Sequence, residues 1–299
     1  MPPVLEFERI SKEYRSFWGR RSVRALNDFS LSVEAGEIFG FLGPNGAGKT
    51  TAIHLAMGFM RPTTGHGRML GQAFGHTETR RRVGFLGENV ALYHRPADRL
   101  LCFYGVLNGM RDPELARRVS AVLEEVDLSS ESGRNVGKFS RGMQQRMGLA
   151  QALVSDPELL MLDEPTSALD PLARVAVREL LQRARDAGKT VFLSSHQLSE
   201  VELICDRVAI IHRGHIARLG TISGLLESET RFEVAARGVE AAAITGAKAS
   251  NGLLTFQVQA SSQRAAIEQV WSRGGEIVSV NPVRKTLEDI FIEVTKEEN

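Results

Sequence analysis

Gly43-Pro44-Asn45-Gly46-Ala47-Gly48-Lys49-Thr50 puts three glycines, a lysine and a hydroxyl into the pattern G-x-x-x-x-G-K-[ST]. Glycines let successive backbone N–H groups turn inward as an anion nest, and a helix N-terminus behind them adds positive potential. Gly43, Pro44, Asn45, Gly46, Ala47, Gly48, Lys49, Thr50 and Thr51 are therefore expected to cradle nucleotide phosphates. Lys49 would reach the β and γ phosphates, and the Thr50 hydroxyl would ligand Mg²⁺.

A second stretch, Leu159-Leu160-Met161-Leu162-Asp163-Glu164, is an apolar run ending in two acids. Carboxylates at the tip of a buried strand are tolerable where a cation meets them. Asp163 fits a partner of Mg²⁺, and Glu164 a residue that orients and deprotonates an attacking water.

These residues need elements to hold them. Ile38–Leu42 reads as a strand entering the glycine-rich turn, and a helix carrying Ile53, Leu55, Ala56 and Phe59 follows. Val4–Phe7 and Leu31–Val33 read as strands flanking a polar loop with Trp18, Arg20 and Arg21. Val83–Leu86, Leu159–Leu162, Val191–Leu193 and Val208–Ile211 are short apolar strands. Residues 99–157 turn helical, with Leu115, Val119, Val122, Leu123 and Val126 on one face, and Leu172–Ala187 is a helix closed by Gly188. Alternating strands and helices imply a mostly parallel sheet covered by helices. After about Gly220 the pattern changes. Phe232–Ala235, Leu253–Val258 and Glu276–Val280 read as strands, Ser262–Arg273 as a helix, and Thr286 with Asp289 as the start of a last one. The expected domains are 1–220, with a helical subdomain at about 89–157, and 221–299.

The chain of 299 residues is 42% hydrophobic with a formal net charge of +1, so no global field favours nucleic acid or anionic lipid. Cys102 and Cys205 match no metal or redox spacing and read as small buried hydrophobes. His212 and His215 flank Gly214 and read as a hairpin turn. Met1-Pro2-Pro3 enters the first strand without a charged-then-apolar leader. No apolar run approaches the length that spans a bilayer.

The segment Phe139-Ser140-Arg141-Gly142-Met143-Gln144-Gln145-Arg146 resembles the signature of ABC ATPases, LSGGQ followed by Q-[QR]-R. Ser167-Ala168-Leu169-Asp170 looks like that family's D-loop, His196 like its switch histidine, and Tyr14 sits where an aromatic stacks on adenine. The resemblance covers residues 4–220. It implies an α/β fold: a P-loop NTPase core with an antiparallel β subdomain and a helical signature subdomain, plus a small C-terminal α+β module. It further implies head-to-tail dimers in which Ser140 and Gly142 of one copy meet the γ-phosphate held by the other. Tyr14, Ser140, Gly142 and Asp170 join the ATP-binding set. Glu164, His196 and Lys49 are the catalytic set, and Thr50, Glu88 and Asp163 the Mg²⁺ set. Arg141 stands where Gly is usual, Met143 where Gln is usual, and Glu88 where the coupling-loop Gln is usual.

These substitutions look like the drug-resistance and antibiotic-export branch. That resemblance implies a peripheral ATPase at the cytoplasmic face of the membrane. It would pair with a second ATPase subunit, a homodimer being expected, and with a membrane-spanning permease on a separate chain. The competing reading is a soluble ABC ATPase acting on nucleic acid or ribosomes. Lys49 and Asp163 lie 114 positions apart with no heptads between them, and the chain has one ATPase unit, so no nucleic-acid partner is expected.

Overall fold

The computed structural model describes residues 2–15, 22–226, 231–240, 244, 246–250, 252–283 and 285–297. Trp18, Arg20 and Arg21 lie outside them. Two compact units are present. One runs to Ile222 and takes in the chain from Glu293, and the other spans Ser223–Ile292.

In chain order the first unit contains β1 (Leu5–Arg15), β2 (Ser22–Val33), β3 (Ile38–Leu42), α1 (Lys49–Ala56), β4 (Thr64–Met69), β5 (Gln72–Ala73), α2 (Thr77–Arg80) and β6 (Val83–Leu86). It continues through α3 (Ala97–Leu107), α4 (Glu114–Glu125), α5 (Arg141–Leu153), β7 (Leu159–Asp163), α6 (Pro171–Asp186), β8 (Thr190–Ser195), α7 (Leu198–Ile204), β9 (Arg207–His212) and β10 (His215–Thr221). A short α8 (Ile222–Leu226) follows.

The main sheet has the order β10-β9-β3-β8-β7-β6, parallel except for β10. Every residue of β3, β7 and β8 is buried, as expected of parallel strands covered on both faces. Their registers pair Leu42 with Ser195 and Asp163 with Ser194, so the C-terminal ends meet along one edge. An antiparallel sheet, β2-β1-β4-β5, shares its core with this one. Phe7, Phe29, Phe41 and Phe192 form a run of ring contacts linking the two, with centroids 5.2, 5.8 and 5.4 Å apart.

Some expected boundaries shift. β1 and β2 extend far beyond Val4–Phe7 and Leu31–Val33, because their ladder slips register after Phe7 and Ile10, which hides the alternation. The helix expected to reach Phe59 ends at Ala56. Gly58 turns the chain with φ +72°, and a Cβ there would lie 2.2 Å from Gly75 Cα. Phe59 is left exposed, edge-on to Phe85. Residues 99–157 resolve into α3, α4 and α5 with two 3₁₀ turns between the last two. Leu115, Val119, Val122, Leu123 and Val126 are buried. Cys205 is buried, whereas Cys102 is only half-buried.

The second unit contains β11 (Arg231–Arg237), β12 (Lys248–Ser250), β13 (Leu253–Gln259), α9 (Gln263–Ser272) and β14 (Glu276–Val283), and it includes most of α10 (Leu287–Glu297). Its sheet, β12-β13-β11-β14, is antiparallel around Val234, Leu254, Phe256 and Val270. Thr286 and Asp289 form a reciprocal cap. The Asp289 carboxylate accepts from Thr286 N at 2.9 Å, and Asp289 N donates to Thr286 Oγ1 at 3.2 Å. These bonds hold the Asp289 carboxyl below its usual pKa.

α6 closes as a Schellman turn, with Lys189 N on Ala184 O at 3.0 Å and Gly188 N on Arg185 O at 2.7 Å. Gly188 has φ +86°, with open space where a Cβ would sit. Gly188→Ala should therefore lose about 1 kcal/mol from backbone strain alone. Urea unfolding would show a lower midpoint with unchanged slope, and ATP affinity should not move.

Candidate nucleotide site

The glycine-rich turn is clamped from behind. A Cβ on Gly43 would lie 2.4 Å from Ile211 O, and one on Gly48 (φ +114°) 2.5 Å from Ala25 O, so β9 and β2 press on it with bare backbone. Ala47 O accepts from Gly214 N at 3.0 Å, and Gly214 O accepts from Asn27 N at 3.0 Å. Arg213 and Gly214 both have positive φ and form the tip of the β9–β10 hairpin, where His212 and His215 face each other. His215 Nε2 lies 2.9 Å from Asn27 Nδ2, so this hairpin braces the phosphate turn.

Inside the turn, Lys49 Nζ donates to Gly43 O at 2.6 Å and Pro44 O at 3.3 Å. Lys49 is buried, and desolvation lowers its pKa against the opposing pull of Glu164, Asp163 and Glu88. Thr50 Oγ1 donates to Asp163 Oδ2 at 3.0 Å, and Ser194 Oγ, from β8, donates to Asp163 Oδ1. Glu164 follows β7 in the left-handed region, φ 54°. For a buried non-glycine residue that conformation costs on the order of 1 kcal/mol. It is held by Glu164 N donating to Ser194 O at 3.2 Å. The Glu164 carboxylate is buried and its Oε2 lies 2.8 Å from Nδ1 of the exposed His196.

A cavity of about 370 Å³ is lined by Asn45, Gly46, Gly48, Lys49, Thr50 and Thr51, by Tyr14, Val23 and Ala25, and by Glu88, Asp163 and Glu164. Tyr14 OH reaches Met60 Sδ at 3.2 Å and lies 3.4 Å from Thr51 Oγ1, which leaves a partly exposed ring at the mouth for a planar base. Gly43 and Pro44 turn their carbonyls to Lys49, and Ala47 is buried behind. Ser140, Gly142, Asp170 and His196 are not among the residues lining this cavity. Ser140 caps α5, its Oγ accepting from Met143 N at 3.3 Å, and Asp170 caps α6, accepting from Ala173 N at 2.9 Å.

Gln145 was not among the residues marked in the sequence. It is buried, and its Nε2 donates to Glu164 O at 3.2 Å and to Pro165 O at 3.0 Å. Helix α5 thus grips the backbone that carries the Glu164 carboxylate. The signal was present, since Gln145 belongs to the signature-like stretch, but only tertiary contact gives it a role.

The description "ABC transporter" fits the family model matched by residues 26–167. An uncharacterized ABC transporter ATP-binding protein of Synechocystis is 38% identical over 98% of this chain and 85% of its own length. The chain belongs to the ABC transporter family. The bacitracin transport ATP-binding protein BcrA of Bacillus licheniformis is 40% identical over 72% of this chain and 69% of its own. Among solved structures, a dimeric post-hydrolysis state of the ATP-binding cassette MJ0796 bound to ADP and Pi superposes with a TM-score of 0.68. It is 23% identical and covers 73% of this chain and 98% of that one. The fold is that of ABC ATPase cassettes, and the chain is an ATP-binding, ATP-hydrolysing subunit of this family.

Gln145→Ala should leave the Pro165 carbonyl unpaired and the Glu164 carbonyl with Ser167 N alone, a loss of about 1–3 kcal/mol. ATP turnover should fall at least about tenfold while ATP affinity changes by less than about threefold. Unchanged turnover would mean that Gln145 merely fills space.

Proposed function

We propose that this ABC ATPase drives an exporter whose membrane-spanning permease is a separate chain, and that it works as a head-to-tail dimer. No helix among the described residues is long and apolar enough to cross a membrane, and this reading gives the passage to the permease. The similarity to a bacitracin transport ATP-binding protein and the branch-like substitutions Glu88, Arg141 and Met143 support export. The observation that carries the dimer is the position of Ser140 and Gly142. They sit at the free tip of α5, away from the cavity of their own chain. A second copy is what can bring them to a γ-phosphate. The dimeric cassette of similar fold supports the same arrangement.

Within each half-site, backbone N–H groups of Gly46, Gly48 and neighbouring residues bind the phosphates, with Lys49 on the β and γ groups and Tyr14 against adenine. The donor set also fits Mg²⁺. Among the described residues no group of three or more His, Cys, Asp or Glu could hold a metal unaided. Thr50 and Asp163, with Glu88 at the cavity wall, offer hard oxygens to an ion that takes its remaining ligands from phosphate and water. When bound, Mg²⁺ neutralises phosphate charge. Glu164 takes the proton of a water whose oxygen attacks the γ-phosphorus as the bond to the β-phosphate oxygen breaks, releasing ADP and phosphate. His196 holds the Glu164 carboxylate in place across 2.8 Å. Asp170 is positioned on the dimer side as the cap of α6.

Glu164→Gln should bind ATP, accumulate ATP-dependent dimers on gel filtration and lose at least about a hundredfold in turnover, the scale of a positioned base. Near-normal turnover would remove Glu164 from that role. For transport, the chain should co-purify from detergent-solubilised membranes with a polytopic membrane protein encoded beside it. Co-purification with ribosomes or nucleic acid instead would favour the soluble reading.

A further inference from the structure

Glu88 occupies a boundary. It lines the phosphate cavity with Lys49 and Asp163, and it also lines a second cleft, of about 650 Å³, in front of α5. Arg141 lines that second cleft and is the one cation among the described residues that do. Asp170 is there too, but its carboxylate is committed to capping α6. The side chains of Glu88 and Arg141 are both exposed, and each lacks a hydrogen-bond or ion-pair partner among the described residues. Nearby arginines are otherwise engaged. Arg146 holds Asp127 at 2.8 Å, and Arg174 holds Leu169 O at 3.0 Å. These two unpartnered, opposite charges stand at two of the positions where the chain departs from the family pattern.

The phosphate cavity makes the need for a partner concrete. It already carries Asp163, Glu164 and Glu88 around a single lysine. Glu88 is close enough to Lys49 to favour its charged form. A triphosphate, even with one divalent cation, adds net negative charge beside Glu88, where an uncharged amide would feel no such repulsion. A carboxylate on the lip of this cavity that offers one oxygen to the metal still faces the net negative charge of the metal–triphosphate, and a cation on its other oxygen offsets that repulsion.

We propose that Arg141 is that cation: it pairs with Glu88 across the cleft when nucleotide occupies the cavity. The pair offsets the repulsion between Glu88 and the phosphates and ties the tip of α5 to the end of β6. A carboxylate has two oxygens, so one can meet Arg141 while the other faces the cavity. Arg141 is thus a positioning residue acting through Glu88. The inference rests on the reading of the cavity as the ATP site.

A double-mutant cycle on the Kd for ATP with Mg²⁺, read by calorimetry on the full chain, tests it. Arg141→Gln should weaken binding about three- to fivefold, the scale of a well-aligned, partly exposed pair. In a Glu88→Gln background the same substitution should change Kd by less than about 1.5-fold. Arg141→Lys, which keeps the charge, should bind within about twofold of the parent. Both residues are exposed, so folding is not at risk. Multiplicative single effects, or an Arg141→Lys variant as weak as Arg141→Gln, would overturn the pairing and leave Arg141 acting independently of Glu88. Lys49→Ala separates the two levels. If ATP binds it as tightly as the parent, the site reading itself fails, and the pair with it.

Discussion

One buried lysine facing a ring of acids is the constraint on which the site depends. Lys49 loses hydration inside the glycine turn, which lowers its pKa, and Glu164, Asp163 and Glu88 pull the other way. The acids in turn are met at the strand end by the hydroxyls of Thr50 and Ser194 and by His196, with the lysine charge nearby. The sheet brings them together: β3 ends in the turn that precedes Lys49, β7 ends in Asp163, and β8 supplies Ser194 to bind Asp163 from the side. The parallel register places all three ends at one edge, and this edge becomes the site.

The rigidity of this edge comes from backbone more than from side chains. Gly43 and Gly48 admit carbonyls of Ile211 and Ala25 at distances that a Cβ would forbid. Gly214 bonds the turn to its own hairpin and, through Asn27, to β2. Glu164 is held in a strained conformation by Ser194 on one side and by Gln145 beneath its carbonyl. Such strain persists only when the surroundings over-determine it. Here the surroundings include α5, so the helix that bears Ser140 also fixes the backbone of Glu164.

The chemistry was legible in the sequence because it resides in contiguous motifs. Gly43–Thr50, Asp163-Glu164 and His196 could be marked from residue type and spacing, and the structure gathers the first two around one cavity and sets His196 against Glu164. The core strands were legible because Ile38–Leu42 and Leu159–Leu162 are apolar throughout. What was hidden depends on contacts between distant segments. β4 and β5 carry little apolar signal, with Gly65, Gly67 and Gln72 among their residues. The long β1–β2 ladder is masked by its register slips, and the end of α1 is set by Gly58 meeting Gly75. Gln145 stood in a recognisable motif, yet nothing local could reveal that it reaches Pro165.

The site is divided between two groups of elements. The phosphate turn, Asp163 and Glu164 belong to the sheet edge, whereas Ser140 and Gly142 belong to α5, which packs on β6 of the same sheet and on α3 and α4. In the proposed dimer each chain offers one cradle and one tip. Phosphate occupancy can influence that tip through the packing of α5 on β6 and through residues that bridge the two parts. Gln145 bridges them by neutral hydrogen bonds to backbone, which are insensitive to the charge in the cavity. Glu88 lies on the wall shared by the cavity and the cleft before α5, and it carries a charge. Of these two links the charged one changes its energy when phosphate arrives, so under the pairing proposed above the charge at position 88 lets α5 respond to the nucleotide.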